Sequence, residues 1–343
     1  MNLREFSELL GLSPTTVSRA LGGYPEVREE TRKRVREAAA LHGYRPNRRA
    51  AALATGRAMA IGHVIPSSLN HEMVNPVFAD FIAGAGEIYA RAGYDMLISV
   101  VSDGDEEGAY RKMAEAGSVD GTIVHGPRQE DKRIELLRET GIPFVVHGRT
   151  GEGDAEYSFV DVDNRRAFKK LTDHLLDLGH RRIALANGLL HLDFARRRQE
   201  GWAEALRKRG IDPDPALASS DEMTEQAGYL AMRNALALPN PPTAMIACSY
   251  IMGLGVQRAL HEAGLTPGKE VSVALHDDML SYLSNGATTP TFTASRSSVR
   301  AAGIRCAEIL LQSIANPNGP IVQEVWQSEL VLSTTTGPVV ERP

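Results

Sequence analysis

The chain has 343 residues, 43% hydrophobic and 24% charged, with a net charge of −5; this excludes a disordered or uniformly basic protein and leaves room for two or three domains. The charge is uneven: residues 1–60 hold 11 Lys+Arg against 6 Asp+Glu, and residues 61–343 hold 27 against 37, so a basic head of the kind that binds nucleic acid precedes an acidic body. Two distant cysteines, no signal-peptide pattern and no run of about 18 apolar residues argue against a disulfide framework, a zinc site, export or a membrane span, so the expected location is the cytoplasm.

Leu3 to Leu10 reads as a first helix and Gly11 as the turn after it. Ser13 then stands as an N-cap, Pro14 at the first helical position, and Val17, Ala20 and Leu21 on one apolar face. Thr15, Thr16, Ser18 and Arg19 point elsewhere. Short hydroxyls reach phosphates and base edges, and arginine pairs bidentately with guanine. The pattern is a helix-turn-helix whose second helix reads DNA, with Ser13, Pro14, Thr15, Thr16, Ser18 and Arg19 as candidate contacts; the bland alternative is a two-helix corner in a core.

A third helix is expected over residues 28–42. Thr31, Val35, Ala38, Ala39 and Leu41/His42 lie near one face, and Glu29 and Glu30 offset the poor cap at Arg28. Pro46 breaks the chain. Asn47 caps a two-turn, alanine-rich segment that ends at Gly56, too short to be stable alone in water. It is either a plain linker or a hinge that becomes helical on DNA, with Leu53 wedged into the minor groove. These readings divide the region into a head, 1–45, and a hinge, 46–57.

The runs Thr16-Val17-Ser18-Arg19-Ala20-Leu21, Glu30-Thr31-Arg32 and Gly43-Tyr44-Arg45-Pro46-Asn47 closely resemble the LacI/GalR family of bacterial transcriptional repressors. The resemblance adds Tyr44, Asn47 and Ala50 to the expected DNA contacts, beside Leu53. One departure is Leu21-Gly22-Gly23 in place of Leu-Asn-Gly, which removes a side chain that contacts the DNA backbone in relatives.

From Ala60 onward, strands alternate with helices. Strands are expected at 60–65, 95–101, 119–125, 143–147, 159–162, 182–186, 243–247 and 271–275, and helices at 77–92, 106–116, 130–140, 164–178, 196–209, 225–237, 252–263 and 298–315. Near-continuous apolar strands suit parallel sheets covered on both faces. The expected fold class is α/β: an all-α helix-turn-helix head, then a core of two doubly wound parallel-sheet lobes, which the resemblance makes periplasmic-binding-protein-like. The N-terminal lobe is placed at 58–163 and 291–320, the C-terminal lobe at 164–290 and 321–343.

No enzyme signature completes. Gly84-Ala-Gly86 and Gly253-Leu-Gly255 start like a dinucleotide fingerprint but lack its third glycine, and no nucleophile elbow or His-Glu-x-x-His is present. Asp161 and Asp163 lack further clustered ligands and read as structural rather than metal-binding. His180, in a Leu-Gly-His-Arg-Arg-Ile run shared with the family, also reads as structural. No cofactor and no metal are expected.

Ligand chemistry is expected at the strand ends. By resemblance, Arg198 is the effector arginine, whose fork holds adjacent hydroxyls; Arg196 and Arg197 read as solvated. Asp277, in Leu275-His276-Asp277-Asp278, is the strand-end acid that accepts sugar hydroxyls in relatives. Phe78, His147, Arg149, Phe194, Ser249 and Met223 complete the candidates, with pairing to a local acid as the alternative for Arg149. Ser249-Tyr250 departs from the family pattern. The expected function is a ligand-responsive, sequence-specific repressor of a carbohydrate operon. Its partners are a palindromic operator and a second copy of the chain, since no heptad tail for a tetramer is visible. The Met1-Asn2-Leu3 opening, the Gly22–Val27 turn and His147-Gly148-Arg149 look most like regulators of α-glucoside use. A purine or other metabolite acting as corepressor, or a stand-alone sugar-binding protein, remain the alternatives.

Overall fold

The structure is a computed structural model that describes residues 1–44, 56–66, 75–102, 104–151, 156–286 and 288–340. The chain divides into two compact units, Met1–Met59 and Ala60–Pro343. The expected contacts Asn47, Ala50 and Leu53 lie outside the described residues.

The first unit holds α1 (Leu3–Leu10), α2 (Pro14–Leu21) and α3 (Glu29–Leu41). Asn2 and Glu5 close a capping box on α1, and Gly11 ends it at φ 65°. Ser13 caps α2, accepting from the Thr16 N–H at 3.1 Å. No side chain caps α3, as Arg28 implied, and Glu29 and Glu30 occupy its first turn. Phe6, Val17, Ala20 and Val35 form the fully buried centre. Two expectations are corrected. Leu41 is 81% exposed, because it follows Ala38 and Ala39 around the helix and out of the core face. The Tyr44 ring, expected at DNA, packs inward instead, stacked on Phe6 with centroids 4.2 Å apart.

The second unit contains two six-stranded sheets. Its elements are β1 (Ala60–Pro66), α4 (Pro76–Ala92), β2 (Asp95–Val101), α5 (Glu106–Ala116), β3 (Gly121–His125), α6 (Lys132–Thr140), β4 (Phe144–His147), β5 (Ser158–Val162), α7 (Asn164–Asp177), β6 (Ile183–Asn187), α8 (Asp193–Lys208), β7 (Ala218–Ser220), α9 (Glu225–Leu236), β8 (Ala244–Ala247), α10 (Tyr250–Glu262), β9 (Ser272–Asp277), β10 (Thr293–Arg296), α11 (Val299–Ala315), β11 (Gln323–Trp326) and β12 (Glu329–Val331). The sheet orders are β11-β5-β4-β3-β1-β2 and β12-β10-β9-β8-β6-β7. All pairings are parallel except β10 with β12.

Apolar residues run unbroken along the strands because both sheet faces are covered. In the first lobe Ile123, Val145 and Val160 face the α4–α11 layer, while their neighbours Val124, Val146 and Phe159 face α5 and α6. The chain crosses to the second sheet after Val162, near the expected Asp163-Asn164. The later boundaries are corrected. β10, expected in the N-terminal lobe, pairs with β9 in the second sheet, and β11, expected in the C-terminal lobe, pairs with β5 in the first. Pro290 marks a turn rather than a crossing. The return crossing falls after Arg296, where Ser298 caps α11 by accepting from the Ala301 N–H, and the third falls between Trp326 and Glu329. Among the described residues, no helix is long and apolar enough to cross a membrane.

Candidate functional site

The head carries its chemistry on α2. Burying Val17 and Ala20 turns Ser13, Pro14, Thr15, Ser18 and Arg19 outward to solvent; Thr16 is half-buried, its hydroxyl 2.8 Å from that of Ser13. Gly22 sits under the Tyr24 ring, where a Cβ would lie 2.9 Å from Tyr24 Cε2. The asparagine of the family pattern has no room there unless Tyr24 moves.

The body holds a cavity of about 390 Å³, lined by residues from the C-terminal ends of strands of both sheets. Parallel strands bring their C-terminal ends, and the helix N-termini that follow, to one edge, so a cleft between two such sheets gathers loops from each. Phe78, His147, Arg149, Phe194, Arg198 and Met223 all line it; Asp277 and Ser249 do not.

Arg198 projects from α8 and is 6% exposed. Its Nε donates to Asn164 Oδ1 at 2.8 Å and its Nη1 to the Cys248 carbonyl at 2.6 Å. Phe168 and Phe194 lie 5.0 and 4.8 Å from the guanidinium carbon. Both ties and both rings fix the plane, and the guanidinium lines the cavity. A pre-set fork that faces the cavity suits a vicinal diol.

The acid facing this arginine is Asp278, not Asp277. Side chains alternate along an extended strand, so His276 and Asp278 share one side and Asp277 takes the other. There Asp277 accepts from the Met279 N–H at 2.8 Å and holds a turn in which Met279 has φ 53°. Burial pushes the Asp278 carboxyl up to about 7, with Arg198 opposing and Asp277 adding to the rise. Ser249 is likewise corrected: its hydroxyl caps α10 by accepting from the Met252 N–H. Serine before a helix already carried that signal.

Arg149 lies 2.8 Å from Asp161, so it both lines the cavity and pairs with a local acid. Asp161 lines the cavity, its carboxyl pushed up to about 6 by burial against the pull of Arg149 and Arg197, whereas Asp163 caps α7. Of the two arginines expected to be solvated, Arg197 is not: it is 6% exposed, pairs with Asp193 and donates to the Gly151 carbonyl. Arg196 is half-buried and pairs with Asp193 and Glu200. His180 bonds Thr243, Ser272 and the Gly337 carbonyl.

Sequence reasoning passed over the first lobe's polar wall. Glu106, with 3% side-chain exposure, holds Arg128 at 2.9 Å and Arg133 at 3.8 Å, and Asp131 holds Arg133 at 2.6 Å. Of the aromatic floor it had Phe78 and His147 and missed Phe81, His125 and His63. His147 stacks on Phe81 at 4.4 Å, and His125 sits edge-on to Phe78 and Phe81 with its Nε2 2.9 Å from His63 Nδ1. Burial holds His147 down at about 4 and His125 well below its ordinary range, so both are neutral at neutral pH. Scattered in sequence, His125 and His147 share only their place at strand ends. Among the described residues, no His/Cys/Asp/Glu group has metal-site geometry. On one side the lobes touch directly: the Asp193 N–H donates to the Pro127 carbonyl at 2.9 Å, beside a bridge from Arg128 to Leu192.

Comparison with known proteins agrees with both units. Residues 2–47 match the bacterial regulatory proteins of the lacI family, and residues 172–336 match the periplasmic binding protein-like domain. The HTH-type transcriptional regulator AglR of Rhizobium meliloti (strain 1021) is 44% identical over 100% of this chain and 96% of its own length. The structure of the transcriptional regulator CelR–cellobiose complex superposes with a TM-score of 0.71 at 27% identity, covering 98% of this chain and 99% of the other. That of the lac repressor dimer bound to operator and the anti-inducer ONPF gives 0.83 at 25% identity, with the same coverage. A capped reader helix that turns Thr15, Ser18 and Arg19 to solvent, two sheets whose strand ends close on one cavity, and full-length likeness to a regulator together place the chain in the lacI family of bacterial regulatory proteins, as a DNA-binding transcriptional regulator.

Proposed function

We propose that the chain is a homodimeric repressor of a carbohydrate-utilisation operon, released from a palindromic operator when an uncharged sugar, an α-glucoside, fills the cavity. The observation that carries this is the cavity's charge balance around a hydroxyl-matching pair. The acids Glu106, Asp161, Glu222 and Asp278 line it beside the bases Arg128, Arg133, Arg149 and Arg198. Among the described lining residues the formal charges balance, so an anionic phosphosugar or uronate would find no formal surplus of positive charge. A neutral polyol can meet Arg198 as donor and Asp278 as acceptor, while Phe78, Phe81 and Phe194 cover the apolar face of a ring. The cellobiose bound by CelR supports a sugar; the α-linkage rests on the resemblance of the head turn and of His147-Gly148-Arg149. For the dimer, the edge strand β2 exposes Leu97, Ile98 and Val100, and the turn after β9 exposes Met279 and Tyr282, apolar surface that a second copy would cover.

Fluorescence anisotropy on a palindromic duplex from upstream of the gene's own neighbourhood tests the reading, with sucrose, maltose, trehalose, glucose, galactose and a purine added in turn. Relief of binding by one of the α-linked disaccharides is expected. Relief by none of the sugars, or strengthening by the purine, overturns it. In the same assay Arg19→Ala should lower operator affinity by about 10- to 100-fold, the equivalent of one bidentate base contact, and leave binding to scrambled duplex nearly unchanged. Equal losses on both duplexes would make Arg19 a phosphate contact instead.

The Asp278 carboxyl sets a pH dependence. As a carboxylate it accepts two hydroxyl protons; as the acid it loses part of that capacity. Disaccharide affinity measured by calorimetry should therefore rise about three- to tenfold from pH 6 to pH 8, and Asp278→Asn should flatten the profile. The effect on stability has the opposite sense. A carboxyl raised in the folded state contributes stability that is complete below the ordinary carboxylate range and lost as pH climbs through about 7.

A further inference from the structure

The turn that follows Asp278 belongs to the second lobe by sequence and is anchored on the first by its contacts. Asp80 of α4, 5% exposed, accepts from both the N–H and the hydroxyl of Ser281, at 2.5 and 2.6 Å. Arg300 of α11 stands behind it, with Nη1 3.6 Å from Asp80, and also pairs with Glu87. Leu280 is 4% exposed and packs in the first lobe's core beside Phe81 and Val299. The Asp278 carbonyl accepts from the Val299 N–H at 3.1 Å, at the start of α11. Between these anchors lies Met279, a non-glycine residue held at φ 53°, a conformation that persists only where its surroundings impose it. The cavity acid is thus fixed by its own strand on one side and by the first lobe on the other.

From this arrangement we infer that Asp80 is a positioning residue for the effector site: by fastening Ser281 and Leu280 to the first lobe, it sets where the Asp278 carboxylate stands opposite Arg198. Any rearrangement of the lobes that strains this fastening alters the grip on the ligand, and by linkage ligand binding alters the lobes. The inference rests on the cavity being the effector site; its effect on Asp278 itself can be read without any ligand.

The test uses the full chain as wild type, Asp80→Asn, Ser281→Ala, and each combined with Asp278→Ala. Asp80→Asn keeps the side-chain shape and weakens the acceptor; Ser281→Ala removes only the hydroxyl and keeps the fold if Asp80→Asn does not. Without ligand, the carboxyl 13C titration of Asp278, assigned through Asp278→Asn, should move down by about one pH unit in Asp80→Asn as the group gains water, and less in Ser281→Ala. An unchanged midpoint in both overturns the inference, whatever the cavity binds. With maltose, sucrose and trehalose as calorimetric probes, affinity for the disaccharide that binds should fall about tenfold in Asp80→Asn. In the Asp278→Ala background, Asp80→Asn should cost nothing further; an equal additional loss would mean that Asp80 acts by another route. Binding of none of the three sugars by wild type would count against the proposed function, and the titration would still decide the role of Asp80.

Discussion

Arg198→Ala is expected to leave a repressor that holds its operator and no longer responds to sugar. The substitution strips two charge-assisted hydrogen bonds from the buried Asn164 amide oxygen and the buried Cys248 carbonyl, and removes the cation between Phe168 and Phe194. Losing a buried charged hydrogen bond to the ligand costs about 2–5 kcal/mol, so disaccharide affinity should fall about 30-fold or more. Arg198→Lys keeps the charge but not the fork. It cannot satisfy Asn164, Cys248 and a diol together, and a loss of about tenfold or more is expected. Arg196→Ala provides the contrast. Among the described residues Arg196 pairs with Asp193 and Glu200, outside the cavity lining, and calorimetry should show near-normal affinity. Operator binding by anisotropy and melting by circular dichroism separate lost response from lost folding. Wild-type relief of operator binding in Arg198→Ala would remove this arginine from the effector site.

The helix-turn-helix was legible because its signals are local. Ser13, Pro14 and Gly11 each act on the backbone within a few residues, and the spacing of Val17, Ala20 and Leu21 decides which face of α2 is buried. Tyr44 was misread because its partner, Phe6, is 38 positions away and nothing near Tyr44 indicates stacking. In the body, alternation of apolar strands and helices was sufficient for two doubly wound sheets. It was insufficient for sheet membership of β10 and β11, each only four residues long. The cavity shows the same limit on a finer scale. Arg198 carried a motif. The choice between Asp277 and Asp278 depends on strand register, where one residue reverses the face. Glu106, Arg128, His125 and Asp161 approach one another only through the topology of the first sheet, so no spacing along the chain could collect them.

Gly84 and Gly86 put the packing of that first lobe to a direct test, two positions apart on one helix. The pair has the look of the start of a nucleotide-binding loop, but both residues lie inside α4. A Cβ on Gly84 would stand 2.2 Å from the Arg300 carbonyl oxygen of α11, and one on Gly303 of α11 would stand 2.1 Å from the Phe81 carbonyl oxygen of α4. Each helix therefore presents a glycine to the other's backbone, and backbone cannot swing aside as a side chain does. Gly84→Ala must push the helices apart and open the core around Phe81, Ala85 and Cys306. Such overpacking costs about 1–3 kcal/mol, occasionally more. With no flexible neighbour to yield, the upper end is expected, and calorimetric melting should fall by about 5 °C. At Gly86 the new Cβ meets only the Met96 Cε, at an ordinary 3.7 Å. There the gain in helix propensity, about 1 kcal/mol at most, is unopposed, and Gly86→Ala should melt at or slightly above wild type. Since Phe78 and Phe81 of α4 and Val299 of α11 all line the cavity, Gly84→Ala should also weaken disaccharide binding at temperatures where it remains folded, and Gly86→Ala should not. Equal melting of the two variants would show that α4 and α11 do not approach this closely.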